Sequence, residues 1–302
     1  MRSLSSFRLA PTVALVVAVA LISTSRGPLA AQADTRERTL FVSALDDKGE
    51  PVDGLGPDAF VVREDGVRRE VLRVSRATEP IDIALLVDNS QAAEHDITFI
   101  REGLAKFVAS MAPKGQIAVI ALADRPTILV DYTNDPKKLS DAIGRIFGMS
   151  GSGMTLLDAI SETSKGLAKR EGPRAAMVAL FTDGPEFTNR YSRDVVSALK
   201  SAQVALNAVT VGNFYHSEEQ GIRERSFLLD EGPRASGGQR IPLLVPSGID
   251  NALQKLARDL SSQYKVVYSR PQSLIPPEKT EVSSGRTGVT MRGTPERGQA
   301  RS

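Results

Sequence analysis

The stretch Ile81-Asp-Ile-Ala-Leu-Leu-Val-Asp-Asn-Ser90 decides the reading of this 302-residue chain. Its first seven positions are apolar except for Asp82, and the run stops abruptly at Asp88-Asn89-Ser90. A strand apolar on nearly every position is one covered on both faces, as in a parallel sheet flanked by helices. In such sheets ligands bind beyond the carboxyl ends of the strands, where Asp88 and Ser90 would sit. Two later loops carry matching oxygens, Ser150-Gly-Ser-Gly-Met-Thr155 and Thr182-Asp183-Gly184. Together the three loops suggest a divalent-cation site.

Around that stretch, strands and helices alternate from Ile81 to Ser269. Ile97–Met111 has helical spacing of Phe99, Ile100, Leu104, Phe107, Val108 and Met111. A strand over Gln116–Leu122 follows, then a short edge strand over Thr127–Asp131. Asp135-Pro136 opens the next helix, with proline at the favoured first position. Further helices are expected over Thr155–Arg170, Arg193–Gln203 and Ser247–Ser262, with strands over Ala175–Phe181, Val204–Val211 and Lys265–Tyr268. Gly212–Gln239 is polar and holds one short helix around Phe227-Leu228-Leu229 in this reading. The alternation predicts an α/β fold, a doubly wound, mostly parallel sheet with helices on both faces.

Upstream, Thr39–Leu45 reads as a strand, and Asp65-Gly66 between two apolar runs is a hairpin signal. Residues 34–79 therefore form a small N-terminal β unit, residues 80–270 the α/β domain, and residues 271–302 a mostly disordered tail with one strand at 287–292. Residues 1–33 have the layout of a signal peptide: basic Arg2 and Arg8, an apolar run from Leu9 to Ile22, and Ala31-Gln32-Ala33 as a small-residue cleavage site. The run is 14 residues long and contains Pro11, against about 20 needed to span a bilayer. Export to a periplasm or the medium is expected, with no membrane span after cleavage.

The apolar fraction of 41% and charged fraction of 25% are those of a globular chain. Without residues 1–33, 35 basic side chains face 36 acidic ones, so bulk charge gives no ground for nucleic-acid binding. The absence of cysteine excludes disulfides and thiol catalysis. His95 and His216 are the two imidazoles; His95, just after the Asp88–Ser90 loop, reads as a solvated residue, and His216 has no second histidine for a zinc site. Gly148-Met-Ser150-Gly-Ser152 lacks the second glycine of a nucleophile elbow. An aspartyl-phosphate enzyme would want a second Asp at position 90, which is serine. A non-enzymatic role is expected.

These motifs resemble a known family. Asp88-Asn-Ser90, Gly153-Met-Thr155 followed by Asp158-Ala-Ile160, and Thr182-Asp183-Gly184 are similar to the von Willebrand factor type A domain. Ala59-Phe-Val-Val-Arg-Glu-Asp-Gly66, Gly237-Gly238 and Ser262-Gln-Tyr-Lys-Val-Val-Tyr268 resemble the flanks of its exported bacterial subfamily, abundant in acidobacteria. The resemblance implies a metal-ion-dependent adhesion site for Mg²⁺, with Mn²⁺ or Ca²⁺ as substitutes, held by Asp88, Ser90, Thr155 and Asp183. It also implies a protein partner that offers an Asp or Glu carboxylate. The family's second serine falls at Ala92, so one hydroxyl ligand is missing and the site is partly degenerate. Read from the residues alone, Asp88 and Asp183 could equally close turns, and Ser90 and Thr155 could cap helices. In that alternative the domain is metal-free and binds through other loops, Gly212–Gln239 first among them.

Overall fold

The computed structural model describes residues 35–212, 219–272 and 275–298. The expected signal peptide and His216 lie outside them. In chain order the strands and helices are β1 (Thr35–Leu45), β2 (Phe60–Glu64), β3 (Val67–Arg69), β4 (Val71–Arg76), β5 (Ile81–Val87) and α1 (Ile97–Met111). Then come β6 (Gly115–Ala121), β7 (Thr127–Thr133), α2 (Pro136–Gly144), α3 (Leu156–Leu167), β8 (Arg174–Thr182), α4 (Ser192–Ala202) and β9 (Ala205–Val211). The chain ends with α5 (Gln220–Ser236), β10 (Gln239–Leu243), α6 (Ile249–Ser261), β11 (Tyr264–Pro271), β12 (Thr280–Ser284) and β13 (Thr290–Pro295).

Six strands make the central sheet in the order β10-β9-β8-β5-β6-β7, parallel throughout except for the antiparallel edge strand β7. Every residue of β5 is buried, because alternate side chains enter two separate cores. Ile81, Ile83, Leu85 and Val87 meet α1, α2 and α6 on one face. Ala84 and Leu86 meet α3, α4 and α5 on the other. The doubly wound α/β architecture expected from the sequence is therefore present. Helix starts follow local chemistry. The Asp135 carboxylate accepts from the N–H groups of Lys137 (2.9 Å) and Lys138 (3.4 Å), capping α2 ahead of its Pro136. Phe99, counted on the apolar face of α1, instead points outward.

The N-terminal β unit is only half of a larger one. β1 pairs antiparallel with β11 and with β13, giving a sheet β13-β1-β11-β4. β12 pairs with β2 in a second sheet, β12-β2-β3. Leu40, Val42, Phe60, Val62, Tyr264 and Val266 form one core shared by the two sheets. The α/β domain is thus inserted between β4 and β11. It enters and leaves side by side, the Ala77 N–H donating to the Gln263 carbonyl at 2.9 Å. β1 is buried on both faces: Leu40 and Val42 face the β core, whereas Phe41 and Ser43 meet Arg174 and Gln263 of the α/β domain side.

Two stretches differ from expectation. The tail, expected to be mostly disordered with a strand at 287–292, holds β12 and a strand β13 shifted to Thr290–Pro295. Few of its side chains are apolar, and its order comes from partners distant in sequence. The ladder with β1 and β2 supplies backbone bonds, Arg292 pairs with Asp259 (2.8 Å) and Arg297 pairs with Asp82 (2.8 Å). The polar segment before Gln239 holds a helix of 17 residues rather than a short one. Its polar residues Glu224 and Arg225 point inward to partners, so their polarity does not mark solvent. Behind it lies β10, an edge strand that tolerates Pro242 because its outer side needs no ladder donor.

Candidate metal centre

The carboxyl ends of β5, β6, β8 and β9 meet at one end of the sheet, and the four predicted ligand residues all lie there. Asp88 follows β5 and is fully buried. One carboxylate oxygen accepts from the Ser90 N–H at 2.8 Å. The other accepts from the Thr182 N–H (3.0 Å) and hydroxyl (2.6 Å) at the end of β8. Asp88 therefore does close a turn, and it also ties two strand ends together.

Ser90 and Thr155 do not act as caps. Ser90 precedes a short 3₁₀ turn and makes no side-chain cap bond. Its Oγ is buried and has no hydrogen-bond partner among the described residues. A buried unpaired hydroxyl costs about 1–3 kcal/mol, a cost that a cation at Oγ would offset. Thr155 precedes α3, but its hydroxyl donates to the Leu122 carbonyl at 2.8 Å instead of capping the helix. That commits its proton and leaves its lone pairs open. Asp183 is exposed. Gly212, at φ +109°, faces it so closely that a Cβ there would lie 3.0 Å from the Asp183 carboxyl carbon.

Ala92, at the degenerate position, supplies no ligand atom. It lies beside Ser90 against Gly184, where an added Cβ would approach the Ala92 methyl to 2.6 Å and the Ser90 Oγ to 3.6 Å.

Residues not singled out by the sequence hold these groups in place. Asn89, the unspecified middle residue of the first motif, accepts from the N–H groups of Leu122 (3.2 Å) and Ala123 (2.9 Å). Its amide donates to the Phe147 carbonyl at 3.1 Å. Met154 bridges to Ala123 on one side and to Glu186 on the other, which fixes the following Thr155 between two loops. The Gln91 side chain accepts from the Gly151 N–H at 2.9 Å. An amide one residue from a motif serine is the signal that could have pointed to Asn89.

The electrostatics favour a cation. Burial raises the Asp96 carboxyl above its usual range, Asp88 and Asp183 add to the shift, and His95 opposes it. Asp96 precedes α1 without capping it. Below the site, burial draws the Arg225 guanidinium down while Glu186, Asp88 and Asp183 pull the other way. Its Nη1 donates to the Gly184 carbonyl at 2.5 Å. No cluster of three or more His, Asp or Glu side chains able to hold a metal occurs among the described residues. Any cation here would rely on hydroxyls beside two carboxylates. That donor set suits a hard cation such as Mg²⁺, which takes oxygen ligands and keeps several waters.

Comparison with known proteins bears on the same region. The sequence profile of the von Willebrand factor type A domain matches residues 82–226. No curated protein is similar enough to the chain to match it. Among solved structures, proximal thread matrix protein 1 from the mussel byssus, with zinc in its metal-ion-dependent adhesion site, is 16% identical at a TM-score of 0.50. The match covers 66% of this chain and 50% of that one. The conserved hypothetical protein BatB from Bacteroides thetaiotaomicron is 16% identical at a TM-score of 0.47, covering 60% of this chain and all of that one. At these identities the likeness concerns the fold alone.

Proposed function

With residues 82–226 a von Willebrand factor type A domain, we propose that the protein is an exported, non-enzymatic adhesion module. It captures a carboxylate of a partner protein at a divalent-cation site formed by Asp88, Ser90, Thr155 and Asp183. The buried, unpartnered Ser90 Oγ carries this reading. When bound, Mg²⁺, or Mn²⁺ or Ca²⁺ in its place, supplies an electrophilic coordination position for the partner's Asp or Glu.

The chain's own groups have separable roles. Asp88 is oriented by Ser90 and Thr182. Thr155 is oriented by Leu122, and Asp183 brings a second negative charge from the exposed side. Two neutral hydroxyls and two carboxylates balance a divalent cation without excess negative charge, and a position left to water is open to an incoming carboxylate. Ala92 removes one donor and lowers the affinity without removing the others. We assign the interaction to the domain of residues 80–270 and its support to the β unit. Export follows from the leader, with cleavage before Asp34. No helix among the described residues is long and apolar enough to cross a membrane.

Thermal melting tests this reading. A cation at a hundred times its Kd adds about 2.7 kcal/mol to stability, which raises Tm by roughly 5–10 °C for a chain of this size. Mg²⁺ or Mn²⁺ should therefore raise Tm relative to chelator. Ala92→Ser should give a larger rise at the same concentration, because it restores the missing hydroxyl. An unchanged Tm in both proteins would contradict the proposal.

A further inference from the structure

We infer that the partner's carboxylate is presented between large apolar side chains, because the loops around the candidate ligands expose a hydrophobic rim. This rests on the metal-site reading above and adds the chemical class of what binds there. Among the described residues, eleven large hydrophobic side chains are exposed, and Phe147, Met149, Phe187, Leu244 and Val245 lie at this one end of the sheet. Scattered exposed apolar residues need no explanation, but a concentration at one place marks an interaction surface.

Each of the five is tied to a ligand-bearing segment. Phe147 and Met149 lie against the first motif: the Phe147 carbonyl accepts from Asn89, and the Met149 N–H donates to the Asn89 carbonyl at 2.8 Å. Phe187 lies against the second. Its N–H donates to the Met154 carbonyl at 2.7 Å, and its ring covers Gly153 so closely that a Cβ there would come within 2.5 Å. Leu244 and Val245 continue from Leu243, whose carbonyl accepts from the N–H of Gly212, the residue facing Asp183. Apolar residues are thus tied through the backbone to the segments that carry Ser90, Thr155 and Asp183.

The rim is held in place without a partner. Arg101 sits 4.4 Å from the Phe147 ring centroid and donates to the Ile146 carbonyl at 2.8 Å, which keeps the aromatic ring out of the core. One exposed cation also lies at the rim. Arg125 is exposed on the loop after β6 and makes no ion pair among the described residues. Its neighbour Asp124 is bonded in both directions to Gly153, N–H to carbonyl at 2.9 Å and carboxylate to N–H at 3.3 Å. A short segment with a central Asp or Glu and bulky apolar neighbours would place the acid at the cation, and its neighbours on Phe187 and on Phe147 with Met149.

Two blocked, fluorescein-labelled pentapeptides test this with the full chain in saturating Mg²⁺. One has aspartate between leucines, the other aspartate between serines, and a control has asparagine between leucines. Anisotropy should give at least about tenfold tighter binding of the leucine-flanked aspartate than of the serine-flanked one, and loss of binding with asparagine. Phe187→Ser and Phe147→Ser should each cut that preference to roughly threefold or less, with Mg²⁺ affinity by calorimetry unchanged. Equal binding of the two aspartate peptides, no peptide binding despite Mg²⁺ binding, or equal binding of the asparagine control would overturn the inference while leaving the metal site standing. Absence of Mg²⁺ binding in the same titration would overturn both.

Discussion

Arg174→Ala is expected to lower the stability of the protein by about 3 kcal/mol. Arg174 opens β8 at the end of the sheet opposite the candidate metal centre, and it is buried. Its guanidinium donates to the Glu79 carbonyl (2.8 Å), the Leu260 carbonyl (2.9 Å) and the Gln263 side-chain oxygen (2.8 Å). It also stacks 5.2 Å from the Phe41 ring of β1. One side chain therefore joins the segment entering the α/β domain, the helix ending it and the strand beneath. Alanine would take the donor from two buried acceptors and one half-buried one and leave a cavity against Phe41. Lysine, with a point charge in place of a planar fork, should recover little. Urea denaturation measures the loss, and a change under about 1 kcal/mol would mean that the junction does not depend on this residue. Cation binding at the far end should persist in the variant at temperatures where it stays folded.

Glu186→Gln is expected to remove a pH dependence worth a few kcal/mol. Glu186 lies beneath the candidate site. Burial pushes its carboxyl up to about 8, against the lowering by the Leu157 and Leu156 N–H groups and by Arg225. Its ordinary value is 4.5, so between pH 4.5 and about 8 the folded protein keeps a proton that the unfolded chain has lost. The contribution of this group to stability is complete below pH 4.5, declines through that window, and is gone above about pH 8. Glutamine keeps an oxygen for the Leu157 N–H, at 3.2 Å in the native protein, and cannot ionise. Denaturation curves at intervals from pH 5 to pH 8 should show the variant gaining steadily on the parent protein. Parallel profiles would contradict a buried, neutral Glu186.

The parts legible in the sequence are those whose signal is local. β5 is apolar at nearly every position because both its faces are covered, and that alone indicates a sheet between two helical layers. α1 and α6 carry helical periodicity because each buries one side. The short run ending at Asp131 reads as an edge strand, and β7 occupies that edge. The candidate ligand residues stand out because they end apolar runs or sit in Gly/Ser loops.

What stayed hidden depends on residues far apart in the chain. β12 and β13 carry few apolar side chains, and their order comes from β1 and β2, more than two hundred residues earlier. α5 looks like a solvated loop because Glu224 and Arg225 are charged, yet both are buried: the Glu224 carboxylate accepts from Ser192, and Arg225 donates to the Gly184 carbonyl. Asn89 is invisible as a clamp because its acceptors and donors lie on loops around positions 122 and 147. The insertion of the α/β domain into the β unit is not legible in the sequence, since pairing register is not written in either segment alone.

Calorimetric titration of Mg²⁺ into the protein, with Ser90→Ala and Asp183→Asn beside it, tests the cation site most directly. These two substitutions suit the purpose because the Ser90 hydroxyl makes no hydrogen bond among the described residues and Asp183 is exposed, so neither should disturb folding. One saturable site per chain is expected, lost or strongly weakened in both variants. Absence of binding by the folded parent protein, with Mn²⁺ as well as Mg²⁺, or undiminished binding in the variants, would contradict it.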